Sequence, residues 1–296
     1  MKLSLPTREQ TITQLIKAAG YSAIVFVVLI FYFLAREGLP AIINPKVFSK
    51  LFEPRWYPIE SHFGLLPLIA GSVIVTLGAA LIAVPLGIGT AVFIREVAPN
   101  WAREILKPLV EVLAGLPSVV LGFIGILTLS PLVRIMLHLP TGLTAFTGSI
   151  LLGLISLPTI VSVAEDALDA VPRSYRDASL ALGATEFQTI FLVSLPAAKT
   201  GVLTAIMLGL GRAIGETMTV MMVTGNAPVI PHGLFTPVRT MTATIAAEMG
   251  EVAKGSDHYH VLFLLGIVLF LISLAVNLTA SSVIARQKKK AERILS

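Results

Sequence analysis

The sequence predicts an all-α integral membrane protein with six transmembrane helices. Of its 296 residues, 55% are hydrophobic and only 13% are charged, and the mean hydropathy is +0.86. A water-soluble globular chain of this length does not need that balance, whereas a helical membrane protein does. The apolar segments are also too long for the strands of a membrane β-barrel, and they lack the two-residue alternation of such strands.

Six segments are long and apolar enough to cross a bilayer, which takes about 20 helical residues. They cover residues 18–35, 65–94, 108–133, 143–164, 197–223 and 261–285. The first stands where a secretory signal would, but its apolar core is long and no small-residue cleavage site follows, so we expect a membrane anchor. Between the last two spans, a short helix is predicted near residues 241–253.

The distribution of Lys and Arg predicts how these spans are oriented. With the N-terminus in the cytoplasm, the inside segments hold 14 of these residues and the outside segments hold 7. Cytoplasmic loops of membrane proteins carry the excess of positive charge. We therefore expect both termini, and the segment between the fourth and fifth spans, in the cytoplasm. The net charge of +5 then reflects topology and does not indicate a nucleic-acid partner.

A polar, amphipathic segment from Asp177 to Pro196, DASLALGATEFQTIFLVSLP, joins the fourth and fifth spans. We expect Ser174 to cap a first helix and Gly183 to end it in a left-handed conformation. A second short helix is predicted over Thr185–Val193, and Pro196 leads into the fifth span. Two short helices at an angle form a projection that a partner protein can grip. The alternative is a plain amphipathic loop at the membrane surface.

The fifth span contains two charged residues, Arg212 and Glu216, followed by Thr217. Each charge costs roughly 2.5–3.5 kcal/mol near the bilayer centre, so such residues are kept where they face a polar cavity or another subunit. Because they are four residues apart, they are predicted to share one helix face. Gly211 and Gly215 form a small-residue pair that lets another helix approach beside them.

An arginine in this setting is suited to bind a tetrahedral oxyanion, because its planar guanidinium donates two hydrogen bonds and stays charged. Glu216 would hold the guanidinium in place, or weaken anion binding enough for release. The alternative is a structural ion pair of Arg212 with Glu216 that touches no substrate. Ser118, which follows Pro117 in the third span, is a further candidate for the pathway, with plain packing as the alternative.

The sequence also excludes several chemistries. It has no cysteine, hence no disulfide or thiolate site, and no Gly-x-x-x-x-Gly-Lys-Ser/Thr loop that would bind ATP. His258 and His260 lack a nearby third ligand, so no metal site is predicted. Pro85, Pro117 and Pro158 lie inside predicted spans and are expected to kink them.

The Asp177–Pro196 segment closely resembles the cytoplasmic coupling loop of ABC-importer permeases. The family form is Glu-Ala-Ala, three residues, Gly, nine residues, Ile, one residue and Leu-Pro. At these positions the sequence has Asp177, Ala178, Ser179, Gly183, Val193, Leu195 and Pro196. The departures are Asp for Glu, Ser for Ala and Val for Ile, all of them small, and the spacing of the Gly and the Leu-Pro pair is kept.

Three further segments resemble one branch of these permeases, the PstC-type subunit of phosphate-specific importers. They are IAVPLG at 82–87, AGLPSVV at 114–120, and LGLGRAIGETM at 208–218 with Gly225-Asn226 after it. The resemblance covers about residues 63–285 and implies a type I importer bundle. It also implies ATPase coupling through the 174–196 loop and a substrate pathway at the charged residues. The expected pathway residues are Arg212, Glu216, Thr217 and Ser118.

Partners and a mechanism follow from the resemblance. Such a subunit pairs with a PstA-type permease, two PstB-type ATP-binding subunits dock on the coupling loops, and an extracytoplasmic PstS-type protein delivers phosphate. The chain itself would contact lipid and bind no cofactor and no nucleic acid. ATP and magnesium belong to the partner ATPase, whose closure drives import across a bacterial or archaeal cytoplasmic membrane.

We expect three parts along the chain. Residues 1–62 hold the cytoplasmic N-terminal segment, the first transmembrane helix and an outer loop; residues 63–285 are the permease core of five transmembrane helices; residues 286–296 are a basic cytoplasmic tail. Sulfate, molybdate or phosphonate remains an alternative substrate, because an arginine does not choose among oxyanions. An ATP-independent transporter or channel, and a membrane scaffold without transport, are the alternative classes. The coupling loop argues against the first and the intramembrane charges argue against the second.

Overall fold

The computed structural model describes residues 8–295, with side chains at 11–279, 281 and 282. Nearly all regular structure is helical, as expected where backbone polar groups in hydrocarbon must be satisfied within their own segment. The helices are α1 Arg8–Ile43, α2 Pro45–Phe48, α3 Leu66–Val92, α4 Asn100–Gly115, α5 Ser118–Ile124, α6 Ser130–Met136, α7 Ala145–Asp169, α8 Arg173–Ala181, α9 Glu186–Thr189, α10 Leu195–Ala197, α11 Lys199–Gly215, α12 Met218–Val223, α13 Met241–Glu248 and α14 Asp257–Leu295. Two short strands, β1 Trp56–Tyr57 and β2 His62–Phe63, pair antiparallel.

The described chain has five helical stretches long and apolar enough to cross a membrane. They are Thr11–Ile43, Leu66–Val97, Ser118–Met136, Ala145–Asp169 and Asp257–Thr279. A π-helical turn at Phe93–Val97 continues α3, and another at Gly125–Leu129 joins α5 to α6. A sixth span results if Glu186–Ala197 and Lys199–Gly215, which meet at an angle of 72°, cross as one broken unit. The predicted all-α membrane architecture is confirmed.

Two predicted spans have different limits from those expected. The third, predicted at 108–133, is divided because Leu116 adopts an extended conformation, with φ −68° and ψ 131°. A residue before proline is pushed out of the α region, so Pro117 separates α4 from α5 and does not kink one helix. The fifth, predicted at 197–223, is interrupted at Glu216, which has φ −67° and ψ 132°.

Helices α3 and α7 pack against each other along most of their length and form the centre of the bundle. Small residues permit this approach: a Cβ at Gly78 would lie 2.3 Å from Ser149 Oγ, and one at Gly87 would lie 2.6 Å from Ile160 Cγ2. Ser149 also donates a hydrogen bond of 3.2 Å to the Val75 carbonyl of α3. Because lipid tails are as apolar as leucine, close packing and interhelical hydrogen bonds hold these helices together.

A packed cluster joins the β1–β2 hairpin to α3, α13 and α14. Trp56 and Phe63 of the hairpin, Leu68 of α3, Met241 of α13 and Leu262 of α14 are all buried in it. The loop between the last two spans is therefore part of the folded structure. Its predicted helix is present as α13 and is shorter than expected.

Candidate functional site

Two interrupted helices meet where α5 and α12 begin. The Thr219 hydroxyl donates a hydrogen bond of 2.8 Å to the Ser118 carbonyl. A Cβ at Gly122 would lie 2.8 Å from Met222 Sδ and 3.1 Å from Thr219 Cα, so the two helices touch without room for a larger residue. Ser118 is the first residue of α5 and Thr217 precedes α12, so both predicted pathway residues lie at the helix breaks.

Glu216 leaves α11, and its carboxylate turns towards the next helix. Its Oε1 atom accepts a hydrogen bond of 3.3 Å from the Thr219 backbone N–H, as a capping side chain does at a helix start. Its carbonyl accepts a hydrogen bond of 3.0 Å from Thr242 Oγ1 of α13. The Thr217 hydroxyl donates to the Gly215 carbonyl at 3.2 Å. Backbone and hydroxyl groups therefore hold this turn.

Arg212 lies on the last turn of α11, and Glu216 follows directly after the end of that helix. The predicted shared helix face assumed a continuous helix through both residues, whereas α11 ends at Gly215 and Glu216 has ψ 132°. Of the ion pairs formed by the described side chains, none involves Arg212. Its Nη1 atom donates to Thr159 Oγ1 of α7 at 3.4 Å, and the side chain is exposed on the bundle surface. The structural ion pair considered above is thus not formed.

The surface of α11 beside Arg212 is open. A Cβ at Gly211 or at Gly215 would meet no heavy atom within 4 Å. In contrast, a Cβ at Gly209 would lie 2.4 Å from Ile160 Cγ1, so that face of α11 is packed within the chain. A small-residue surface of this kind allows close approach of a second transmembrane helix.

Helices α8 and α9 form the predicted coupling loop. Ser174 is not the cap of α8: Pro172 occupies that position in an extended conformation, and no side chain caps the helix. Proline is tolerated at this position because the residue before a helix is extended and its backbone N–H would have no partner within the helix. Gly183 has φ +88°, as predicted, and Thr185 begins α9 in a capping box with Gln188.

Arg176 anchors this loop to the bundle. Its guanidinium contacts the Glu96 carboxylate, donates to the Leu168 carbonyl at 3.1 Å and donates to Ser194 Oγ at 3.2 Å. The two charged side chains are only 15% and 8% exposed. The loop is therefore fixed to α7 and to the end of α3, and it does not hang free.

The other side of the loop is accessible. The exposed motif residues are Asp177, Ala178, Gly183 and Pro196, and the half-buried ones are Ser179, Val193 and Leu195. Two apolar side chains also project there, Leu182 at 89% and Phe187 at 69% exposure. Apolar side chains on a projecting pair of helices suit a groove on a partner protein.

Two further ion pairs join helices on the side of the bundle that carries the loop. Arg95 contacts Asp169, and Lys107 Nζ lies 2.8 Å from Glu165 Oε2. The hydrogen bond to Glu165 raises the pKa of Lys107 above its ordinary value. The two ion pairs join α7 to α4 and to the segment that follows α3.

Across the described residues, His, Asp and Glu side chains do not gather in a group of three or more that could hold a metal ion. His258 Nε2 lies 2.8 Å from Glu248 Oε2 instead, and His260 Nδ1 lies 2.7 Å from the Glu37 carbonyl. Both histidines are thus used to join neighbouring segments.

Sequence reasoning missed three threonines at the site. Thr219 lies three residues after Glu216, and its backbone N–H meets the carboxylate, but the order of the two residues is the reverse of a capping box. Thr159, which meets Arg212, follows directly after Pro158 in α7, but that position does not identify its partner. Thr242 is 26 residues from Glu216, in the loop between the last two spans, and no local pattern connects the two.

Comparison with known proteins agrees with this architecture. Residues 83–291 match the family model described as binding-protein-dependent transport system inner membrane component. The probable ABC transporter permease protein YqgH of Bacillus subtilis is 40% identical over 86% of this chain and 84% of its own length. Phosphate transport system permease proteins PstC are also similar. That of Pasteurella multocida is 35% identical over 83% of this chain and 82% of its own length. That of Mesorhizobium japonicum is 36% identical over 81% of this chain and 79% of its own length.

Solved structures share the fold. A bacterial alginate ABC transporter, in complex with its alginate pentasaccharide-bound periplasmic protein, matches with a TM-score of 0.66 over 95% of this chain and 98% of that one, at 14% identity. The inward-facing MetNI methionine ABC transporter matches with a TM-score of 0.56 over 75% of this chain and 94% of that one, at 18% identity. The family model spans more than half of the sequence. The chain belongs to the binding-protein-dependent transport system inner membrane components, and it is a non-enzymatic, multi-pass ABC permease subunit whose ATPase is a separate protein.

Proposed function

We propose that this chain is the PstC-type subunit of an ATP-driven importer that carries inorganic phosphate across the cytoplasmic membrane. The setting of Arg212 is the observation that carries the proposal. It is an arginine in an interrupted transmembrane helix, unpaired with any described carboxylate, beside the open Gly211–Gly215 surface. The similar proteins named as phosphate transport permeases support the choice of substrate.

In this proposal, phosphate passes between α11 and a second, PstA-type permease. The Gly211–Gly215 surface receives a helix of that subunit, and the Arg212 guanidinium donates hydrogen bonds to phosphate oxygens. Glu216, Thr217 and Ser118 border the passage at the two helix breaks. The carboxylate near the arginine weakens anion binding, so that the ion is released and not trapped.

Two PstB-type subunits bind ATP and magnesium and dock on the accessible side of the coupling loop. The docking residues are Asp177, Ala178, Ser179, Gly183, Leu195 and Pro196. Closure of the ATPases moves the loop and alternates access between the two sides of the membrane. A PstS-type protein delivers phosphate from outside. Both termini of this chain lie in the cytoplasm, as the excess of Lys and Arg in those segments supports.

Uptake of radiolabelled phosphate tests the proposal. Membrane vesicles would hold this chain with its second permease and ATPase, with binding protein and ATP supplied, and with sulfate and molybdate as competitors. We expect ATP-dependent uptake that vanishes without this chain and resists both competitors. If the complex hydrolyses ATP but moves another oxyanion, the assignment of phosphate is wrong and the permease assignment stands.

A further inference from the structure

Helix α13 lies outside the pathway described above, yet its first turn contacts the helix break at Glu216. Thr242 Oγ1 donates a hydrogen bond of 3.0 Å to the Glu216 carbonyl. The Met241 N–H donates to Ser72 Oγ of α3 at 2.9 Å, and Thr240 caps the helix through the Ala243 N–H at 3.3 Å. This turn of α13 is therefore fixed between α3 and the end of α11.

The opposite end of α13 is held by a charged cluster on the outer side. The Glu248 carboxylate accepts from Trp56 Nε1 at 3.1 Å, contacts Arg239 Nη2 at 2.9 Å and lies 2.8 Å from His258 Nε2. The three partners come from the β-hairpin, the segment before α13 and the start of α14. Because Trp56 is 1% exposed and the Glu248 side chain 16%, water does not replace these contacts easily.

Glu248 also lines an open cavity of about 520 Å³. Tyr57, Arg239 and Glu251 lie on its walls. Glu251 forms no side-chain hydrogen bond or ion pair with the described residues, unlike Glu248. Two glutamates therefore line the cavity: Glu248 has three side-chain partners, and Glu251 has none among the described residues.

We propose that Glu248 and Thr242 are positioning residues for transport, acting through α13 on the turn at Glu216. They lie six residues apart, about 9 Å along a helix that rises 1.5 Å per residue. The Glu248 cluster fixes the outer end of α13, and Thr242 then satisfies a carbonyl that the end of α11 leaves without a partner in its own helix. That hydrogen bond keeps Glu216 extended, which directs its carboxylate to the Thr219 N–H.

The inference rests on the proposed function, because it concerns the same pathway. Three variants of the assembled transporter test it: Thr242→Val, which removes a hydroxyl at constant shape, Glu248→Gln, which removes the charge, and the double variant. Glu251→Gln, in the same cavity, is the matched control. The measurements are the maximal rate and KM of phosphate uptake, with co-purification of the subunits as the test of assembly.

We expect each single variant to lower the maximal rate about tenfold with KM within about twofold, since the pathway is misaligned and not removed. The double variant should be no slower than the slower single one, because both act through α13, whereas independent sites would multiply their effects. Glu251→Gln should behave like the wild type. The subunits should co-purify in every case.

Multiplicative losses in the double variant, or unchanged uptake by Thr242→Val, would overturn the inference. Loss of co-purification by Glu248→Gln would overturn it too, because Glu248 would then only stabilise the fold. Failure of the proposed function is distinguishable: the wild type would import another oxyanion. In that case the same variants measured with that ion still support or overturn the positioning role.

Discussion

Replacing Arg212 with alanine should remove most phosphate uptake and leave the assembled transporter intact. The side chain is exposed, and the described structure gives it one hydrogen bond, of 3.4 Å to Thr159. An exposed substitution that breaks so little usually changes stability by no more than about 0.5 kcal/mol. The folded bundle should therefore tolerate the loss of this guanidinium.

The effect on transport should be much larger. A hydrogen bond to a charged group contributes roughly 1.5–3 kcal/mol, and about 1.4 kcal/mol corresponds to tenfold. If the Arg212 guanidinium holds phosphate as proposed, its removal lowers the efficiency of uptake by about 10- to 150-fold. Arg212→Lys is the matched control: it keeps the charge but loses the planar pair of donors, and should fall between wild type and alanine.

The assay is ATP-driven phosphate uptake, with co-purification of all subunits and thermal unfolding of the complex measured on the same preparations. Unchanged uptake by Arg212→Ala would refute the assignment of this residue to the pathway. A loss of assembly that matches the loss of uptake would refute it too, because Arg212 would then serve packing between subunits.

Three other substitutions test the remaining parts of the proposal. Gly215→Leu fills the open surface of α11 and should reduce co-purification with the second permease while the yield of this chain is kept. Arg176→Met leaves the Glu96 carboxylate buried and unpaired, at a cost of about 3–5 kcal/mol in the free energy of unfolding. The unfolding temperature should therefore fall, and ATP hydrolysis should drive less uptake. Adding Glu96→Gln should restore part of the stability. Gly183→Ala forces a side chain onto φ +88°, which costs about 1–2 kcal/mol, and binding of the ATPase in a pull-down should weaken while Ala184→Gly has less effect.

The coupling loop was predictable from the sequence because its determinants are local. Gly183 takes the left-handed conformation that favours glycine, and Thr185 begins a helix with Gln188 three residues on, which is a capping pattern. The first cap was wrong, since Pro172 and not Ser174 precedes α8. The second helix, predicted over Thr185–Val193, is α9 at Glu186–Thr189 followed by a π-helical turn at Ile190–Ser194. These features depend on neighbours in sequence and need no knowledge of the rest of the fold.

The turn at Glu216 was not predictable in the same way. The i,i+4 rule that paired it with Arg212 assumes a continuous helix. The helix ends instead where Thr242, in a distant loop, bonds the Glu216 carbonyl and the Thr219 N–H takes the carboxylate. Gly215 permits such an ending but does not require it. Tertiary contacts therefore decide this turn, and sequence spacing cannot reveal them.

The position of α11 gives the proposed mechanism a physical basis. This helix begins at Lys199, three residues after the coupling loop ends, and its 17 residues extend about 25 Å to Gly215, at the end of the turn that carries Arg212. That length is most of a hydrocarbon core of about 30 Å. The end of the loop and α11 meet at an angle of 72°, so in the proposed mechanism a motion of the loop would pass this bend and then follow one helix to Arg212. In that mechanism the helix break at Glu216 would limit the motion, since α12 is bonded to α5 through Thr219 and Ser118. Arg212 would then move relative to Ser118 and Thr217, and such a shift opens or closes a passage between them.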